Sequence, residues 1–310
     1  MSDTYHEHPT SFHRVLDQSS RTSSESPNLK WLARINLRKT RAAGKILRCM
    51  ARNSATAAAL KLVRSTPICS HIYKAFAGYY LPFSSLEEAR EAIGALANRG
   101  HAHPYAVDRH MEYSQAARPS DYAALYYIRP LVEKLRTVID VGGNAGNLFY
   151  CYSKYLHFRS DLIWKVLDLP EVISRGRALA IRCGASQLNF VESWSEASGA
   201  DLLIASGSLH YFEPTLPRLL ADVSSLPRHL LINRTPLVDG AKVAIVQDGG
   251  AYRVACVLHN RNALIMGLEK LGYRLIDAWP VAELSADLPG YPEYTVSGYS
   301  GMFFSHHTSS

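Results

Sequence analysis

Cysteine, long apolar runs and nucleotide-binding fingerprints are all scarce in this 310-residue sequence. The five cysteines, Cys49, Cys69, Cys151, Cys183 and Cys256, are odd in number, far apart, and show neither CxxC nor zinc-finger spacing with the 13 histidines. Neither a disulfide framework nor a structural zinc site is expected, and a reducing compartment is. No uninterrupted apolar run approaches the ~20 residues of a membrane-spanning helix. The start, with His6, Glu7, His8 and Pro9, lacks the apolar core of a signal peptide, so a cytoplasmic location is expected. The dinucleotide pattern GxGxxG is also missing: counted from Gly142 its third position is Asn144, and from Gly143 it is Ala145. This disfavours a nicotinamide-linked dehydrogenase.

What is present is ordinary globular composition, 47% hydrophobic and 20% charged, which excludes collagen, coiled-coil and wholly disordered chains. The net charge of +7 is unevenly spread. Residues 1–66 hold 12 Lys/Arg against four acids, and the remainder holds 22 against 23. The protein is a near-neutral body with a basic N-terminal segment. Residues 1–27, rich in Ser, Thr and His, are predicted to be a disordered tail. In the segment 28–66, Arg34, Arg38, Arg41, Lys45, Arg48 and Arg52 step by three or four, which holds them on one face of a helix with an apolar face roughly opposite. Residues 28–64 are read either as a docked helix with a solvated face or as a helix lying on an anionic membrane surface or an anionic partner. Trp31 alone makes no aromatic series for stacking bases, so nucleic acid is not the expected partner.

Residues 67–136 read as a helical cap region. A helix start is expected at Leu86-Glu87-Glu88 after Ser84-Ser85, and a second helix around Tyr122–Leu135. From Thr137 short β-branched runs alternate with helical ones. Strands are predicted at 137–141, 162–168, 187–191, 200–206 and 229–233, which implies right-handed β-α-β units and a parallel sheet covered on both faces. A helix over Asn260–Leu271 is followed by two strands, Tyr273–Trp279 and Tyr299–Ser305, that form an antiparallel pair at one sheet edge. A four-residue tail, 307–310, closes the chain.

The stretch carrying the chemistry is Val138-Ile-Asp-Val-Gly-Gly-Asn-Ala-Gly-Asn-Leu148, a strand, a glycine-rich turn and a helix. Ligands of open α/β sheets bind beyond the carboxyl ends of the strands, where glycines let the backbone approach closely. The pattern Asp-x-Gly-Gly-x-x-Gly resembles motif I of class I S-adenosylmethionine-dependent methyltransferases, in the form seen in small-molecule O-methyltransferases, with Asn144 replacing a glycine. Asp168-Leu-Pro-Glu-Val172, after the second strand, is similar to the same enzymes' segment in which an acid holds the cofactor ribose. Ala200–Ser206, followed by Gly207-Ser-Leu-His-Tyr-Phe-Glu-Pro214, resembles their motif IV.

The resemblance implies a Rossmann-like α/β fold with a seven-stranded, mostly parallel sheet, an antiparallel edge strand and a helical N-terminal extension, with a catalytic domain over residues 137–306. It implies S-adenosylmethionine as cofactor, held by Asp140, Gly142, Gly143, Asn144, Gly146, Asp168, Leu169, Glu192, Ser193, Trp194, Ser206 and Gly207. His210 is the candidate general base for an acceptor hydroxyl, because imidazole titrates near neutrality; packing against the cofactor pocket is its other reading. Residues 76–306 also resemble bacterial methyltransferase-like proteins associated with surface-polysaccharide biosynthesis, which implies a small-molecule, glycan or lipid-linked acceptor. Tyr79, Tyr113, Arg234 and Tyr252 are the candidate acceptor contacts. Acids and histidines do not cluster after strands four and five, so no metal is expected. The expected function is O-methylation. The alternative is a non-catalytic scaffold on the same fold, recruited through the basic N-terminal helix.

Overall fold

The computed structural model describes residues 82–93, 116–248, 253–286, 288 and 291–307, and five positions between 53 and 59. The predicted tails, the basic segment 28–64 and most of the cap region lie outside the described residues, as do Tyr79, Tyr113 and Tyr252.

In chain order the elements are α1 (Leu86–Ile93), α2 (Pro119–Ile128), β1 (Thr137–Val141), α3 (Asn147–Tyr152), β2 (Ile163–Leu167), α4 (Pro170–Cys183), β3 (Leu188–Val191), β4 (Leu202–Ser206), α5 (Leu216–Leu220), β5 (His229–Thr235), β6 (Leu237–Val238), β7 (Val243–Asp248), β8 (Arg253–Asn260), α6 (Arg261–Lys270), β9 (Tyr273–Val281) and β10 (Tyr299–His306). Seven strands form one sheet in the order β3-β2-β1-β4-β5-β10-β9. Neighbours from β3 to β5 are parallel, while β10 runs antiparallel to both β5 and β9. The antiparallel pair β9/β10 therefore closes one edge, with β10 inside it and β9 outermost.

Alternate residues of each strand point to opposite faces, and two hydrophobic clusters divide accordingly. Val138, Trp164, Val166, Leu202, Ile204 and Leu231 pack under α2, α3 and α4. Ile139, Val141, Leu203, Ala205, Leu230 and Ile232 pack under α5 and α6. Burial on both faces explains why these strands read as near-continuous apolar runs.

Two departures from the predicted elements follow from particular residues. The helix expected to reach Leu135 ends at Ile128 and tightens into a 3-10 turn over Arg129–Leu131, because Pro130 has no N–H to continue the α-helical ladder. Between β5 and α6, where no strands were expected, the chain inserts β6, β7 and β8 as a second sheet in the order β6-β8-β7. One face of that hairpin, Val243, Ile245, Cys256 and Leu258, packs toward Val281 and Tyr299 of the main sheet's edge. The other, Ala244, Val246, Ala255 and Val257, takes Leu86 and Ala89 of α1. Helix α1 starts where the sequence signals it: Ser85 Oγ accepts the Glu88 N–H at 3.1 Å, and Glu88 Oε2 accepts from the N–H and hydroxyl of Ser84.

Candidate functional site

The carboxyl ends of β1, β2 and β4 stand level, with Asp140 paired in register to Val166 and Ile204. Beyond them opens a cavity of about 780 Å³, toward the upper end of the ~300–1,000 Å³ usual for small-molecule sites.

The glycine-rich turn forms the cavity's first wall. Gly142 N–H donates to Leu167 O at 2.7 Å, carrying the β1–β2 ladder one residue past the strands. Gly142 has φ +69°, and a Cβ there would meet the Ser208 Cβ at 2.4 Å. The Ser208 hydroxyl crosses behind it to donate to Val141 O at 2.5 Å. At Gly143 a Cβ would sit 2.5 Å from the Asp140 carboxylate. Asn144, the departure from the motif, has φ +56°, a left-handed conformation that asparagine tolerates better than other non-glycine residues. Its side-chain oxygen accepts the Ala145 N–H at 2.7 Å, so the replacement keeps the turn and adds a hydrogen bond to it.

Asp140, fully buried, receives a 3.3 Å hydrogen bond from Trp164 Nε1. Burial pushes its carboxyl up to about 7; the indole N–H opposes this and the neighbouring Asp168 adds to it. Asp168 sits just past β2. Its Oδ1 accepts Leu169 N–H at 2.7 Å and its Oδ2 accepts Asn144 N–H at 2.8 Å. Leu169 is the N-cap residue of α4, so Asp168 does not cap that helix but ties the glycine-rich turn to β2. Burial raises its pKa, and the two backbone N–H groups counteract this. Each carboxylate oxygen keeps lone-pair capacity for a further donor.

Leu169, Glu192, Trp194, Ser206 and Gly207 also line the cavity. Trp194 makes an edge-on contact with Phe212 at 5.7 Å. The Ser206 hydroxyl is buried and has no hydrogen-bond partner among the described residues. Two expected contacts do not line the cavity. Gly146, with φ +87°, is the N-cap residue of α3, and a Cβ there would press on Leu188. Ser193 turns its hydroxyl to accept the Ser195 N–H at the start of a 3-10 turn.

His210 is 2% exposed and lines the cavity from the short turn Leu209–Tyr211. Its ring lies 4.0 Å from that of Tyr211 and 6.2 Å from that of Tyr299. The turn is pinned from below: His259 of β8 stands 3.0 Å from Phe212 O. A carbonyl oxygen only accepts, so His259 Nε2 is the donor. Burial lowers the pKa of His259, with that hydrogen bond opposing the shift, and favours the neutral ring.

Arg234, the described member of the expected acceptor contacts, lines the cavity but is 8% exposed. Its guanidinium donates to Asp121, and its Nε donates to Ser120 Oγ at 3.0 Å. Asp121 also accepts from Arg118 N–H and from the Tyr152 hydroxyl. This buried network bolts α2 to the end of β5.

Of the opposite wall the sequence pointed to Arg234 alone; Arg90, Arg118, Gln247, Val254, Ser285 and Tyr299, which also help to form it, were not foreseen. Gln247 and Val254 are cross-strand partners in the inserted hairpin. The Tyr211 hydroxyl donates to Gln247 Oε1 at 2.5 Å, tying hairpin to turn. The hairpin had a signal: two apolar runs flank Asp248-Gly249-Gly250, a composition favoured in tight hairpin connections.

No protein-family model and no curated protein matches this chain. Among solved structures it is similar to an O-methyltransferase family protein from Burkholderia thailandensis, with 15% identity over 79% of this chain and 72% of that one and a TM-score of 0.45. It is also similar to the Burkholderia thailandensis 1,6-didemethyltoxoflavin-N1-methyltransferase, solved with 1,6-didemethyltoxoflavin and S-adenosylhomocysteine, at 19% identity over 61% and 91% and a TM-score of 0.37. A third is the mitomycin 7-O-methyltransferase, at 16% identity over 82% and 73% and a TM-score of 0.38.

Proposed function

We propose that this protein is an S-adenosylmethionine-dependent methyltransferase acting on a hydroxyl of a small molecule. The observation that carries the reading is the junction of the glycine-rich turn with Asp168, joined by the Asn144 N–H at 2.8 Å, at the mouth of the cavity beyond the parallel strands. The residues fit such a cofactor. Asp168 retains acceptor capacity suited to ribose hydroxyls, Trp194 lines the same cavity and offers an aromatic surface for a base, and the buried Ser206 hydroxyl lacks a partner among the described residues.

Bound there, the cofactor supplies an activated methyl group. The chain's own residues then have modest tasks. The turn and Asp168 fix one ligand, the opposite wall orients the acceptor, and burial of both excludes water. His210 takes the acceptor's hydroxyl proton on a ring nitrogen.

Titration with S-adenosylhomocysteine tests the cofactor assignment: Asp168→Ala is expected to weaken binding at least ~10-fold, by loss of charge-assisted hydrogen bonds worth about 1.5–3 kcal/mol. Unchanged affinity sinks it. His210→Ala is expected to slow methyl transfer by ~10²-fold or more with S-adenosylhomocysteine affinity retained. Single-turnover transfer from labelled cofactor to a cell extract separates an enzyme from a scaffold, which labels nothing.

Residues 28–64 are proposed to hold the enzyme at an anionic membrane surface on the cytoplasmic side, and a glycan or lipid-linked hydroxyl is the acceptor that such a location favours. Liposome binding by the full chain, with and without anionic lipid, tests the first point. Among the described residues no helix is long and apolar enough to cross a membrane.

A further inference from the structure

Charge is segregated within the cavity. The carboxylates that line it, Asp140, Asp168 and Glu192, all come from the carboxyl ends of β1, β2 and β3. The opposite wall, drawn from α1, the approach to α2, the end of β5 and the β7/β8 hairpin, contributes Arg90, Arg118 and Arg234 and, among the described residues, no Asp or Glu.

The three arginines are not equivalent. Asp121 neutralises Arg234 from behind the wall. Arg90 rises from the face of α1 next to Ala89, which is sealed against the hairpin. Among the described residues it makes no ion pair. Beside it the wall is apolar, with Val254 and Ala255. The planar guanidinium fork matches the paired oxygens of a carboxylate or phosphate. Gln247 adds to this preference for acceptors of hydrogen bonds. Its carbonyl oxygen is taken by the Tyr211 hydroxyl, so its NH2 remains as a donor.

We propose that the acceptor is an anionic molecule whose carboxylate or phosphate is engaged by Arg90. The remainder of that molecule, including the reacting hydroxyl, would then lie along the apolar strip toward His210. This assignment of substrate class rests on the methyltransferase reading of the opposite half.

The test uses matched probes on the full-length protein by calorimetry, each with and without saturating S-adenosylhomocysteine: 4-hydroxybenzoate against 4-hydroxybenzamide, and glycerol 3-phosphate against glycerol. At least one anion is expected to bind ~10-fold or more tightly than its neutral partner, which corresponds to about 1.4 kcal/mol. The first pair reports a carboxylate and the second a phosphate. Arg90→Gln, on a solvent-facing helix position, is expected to reduce that preference below ~3-fold while leaving S-adenosylhomocysteine affinity unchanged. The proposal is overturned if neither anion is preferred, or if the preference survives in Arg90→Gln. Should S-adenosylhomocysteine itself fail to bind, the methyltransferase reading falls, whereas an Arg90-dependent anion preference in its absence still upholds the anion site.

Discussion

The cavity has two halves built on different plans. The half beyond β1, β2 and β4 is made of backbone: glycines 142 and 143, the left-handed Asn144, and an aspartate whose oxygens are partly engaged by main-chain N–H groups. The opposite half is made of side chains from separate segments, joined by contacts such as Tyr211 to Gln247 and Arg234 to Asp121. Backbone geometry is demanding of residue type, because left-handed φ and close approach admit few residues. Side-chain walls admit many solutions. The first half is thus suited to one ligand, and the second to variation without disturbing the first.

The sharpest way to break this division is through the buried ion pair. Asp121→Ala leaves the Arg234 guanidinium buried without its counter-charge, so a loss of about 3–5 kcal/mol in unfolding free energy is expected by chemical denaturation. Replacing both partners with apolar residues is expected to restore most of it. If the halves are separable, the folded fraction of Asp121→Ala binds S-adenosylhomocysteine within ~3-fold of the wild type. A proportionate collapse of that affinity would mean that α2 also supports the cofactor side.

The next effect lies in the half beyond β1, β2 and β4 and depends on pH. Asp140 carries a folded-state pKa pushed up to about 7 by burial, against an ordinary value near 4. Between those values the native state binds the proton that the unfolded chain has lost, so stability falls as pH rises from about 4 to about 7 and then levels. Asp140→Asn is expected to flatten that slope in denaturation series across the same window. An unaltered slope would place the titration elsewhere.

A smaller effect sharpens the role of the hairpin. Gln247→Leu removes one hydrogen bond, worth about 1 kcal/mol, between Tyr211 and β7. With acceptor in hand, KM is expected to rise several-fold while S-adenosylhomocysteine affinity holds. A change confined to cofactor affinity would reverse the assignment of the two walls.

How much of this was legible in the sequence follows the same line. The turn after β1 and the acid after β2 lie in contiguous runs, Asp140–Gly146 and Asp168–Val172, which the parallel pairing of β1 with β2 brings side by side. Strands β1 to β5 were legible because burial on two faces demands unbroken apolar runs. Of the Arg-lined wall only Arg234 was. Arg90, Arg118 and Gln247 are ordinary residues in ordinary contexts, and only the hairpin's packing between α1 and the sheet edge brings them to one cavity. The ion pair was hidden for the same reason: 113 residues separate Arg234 from Asp121.

The smallest expected effect bears on whether the departure at Asn144 weakens the catalytic reading. Asn144→Gly restores the glycine of the motif it resembles. It relieves the cost of a left-handed non-glycine residue, roughly 1 kcal/mol, but gives up the 2.7 Å hydrogen bond to Ala145 N–H and adds backbone entropy to the unfolded chain. These contributions nearly cancel, so stability within ~1 kcal/mol of the wild type and S-adenosylhomocysteine affinity within ~3-fold are expected. Since the asparagine already holds the backbone at the φ a glycine would supply, the turn has no lost conformation to recover. A large gain in affinity from Asn144→Gly would instead mean that the native turn is impaired, and would revive the scaffold as the better description of this half of the cavity.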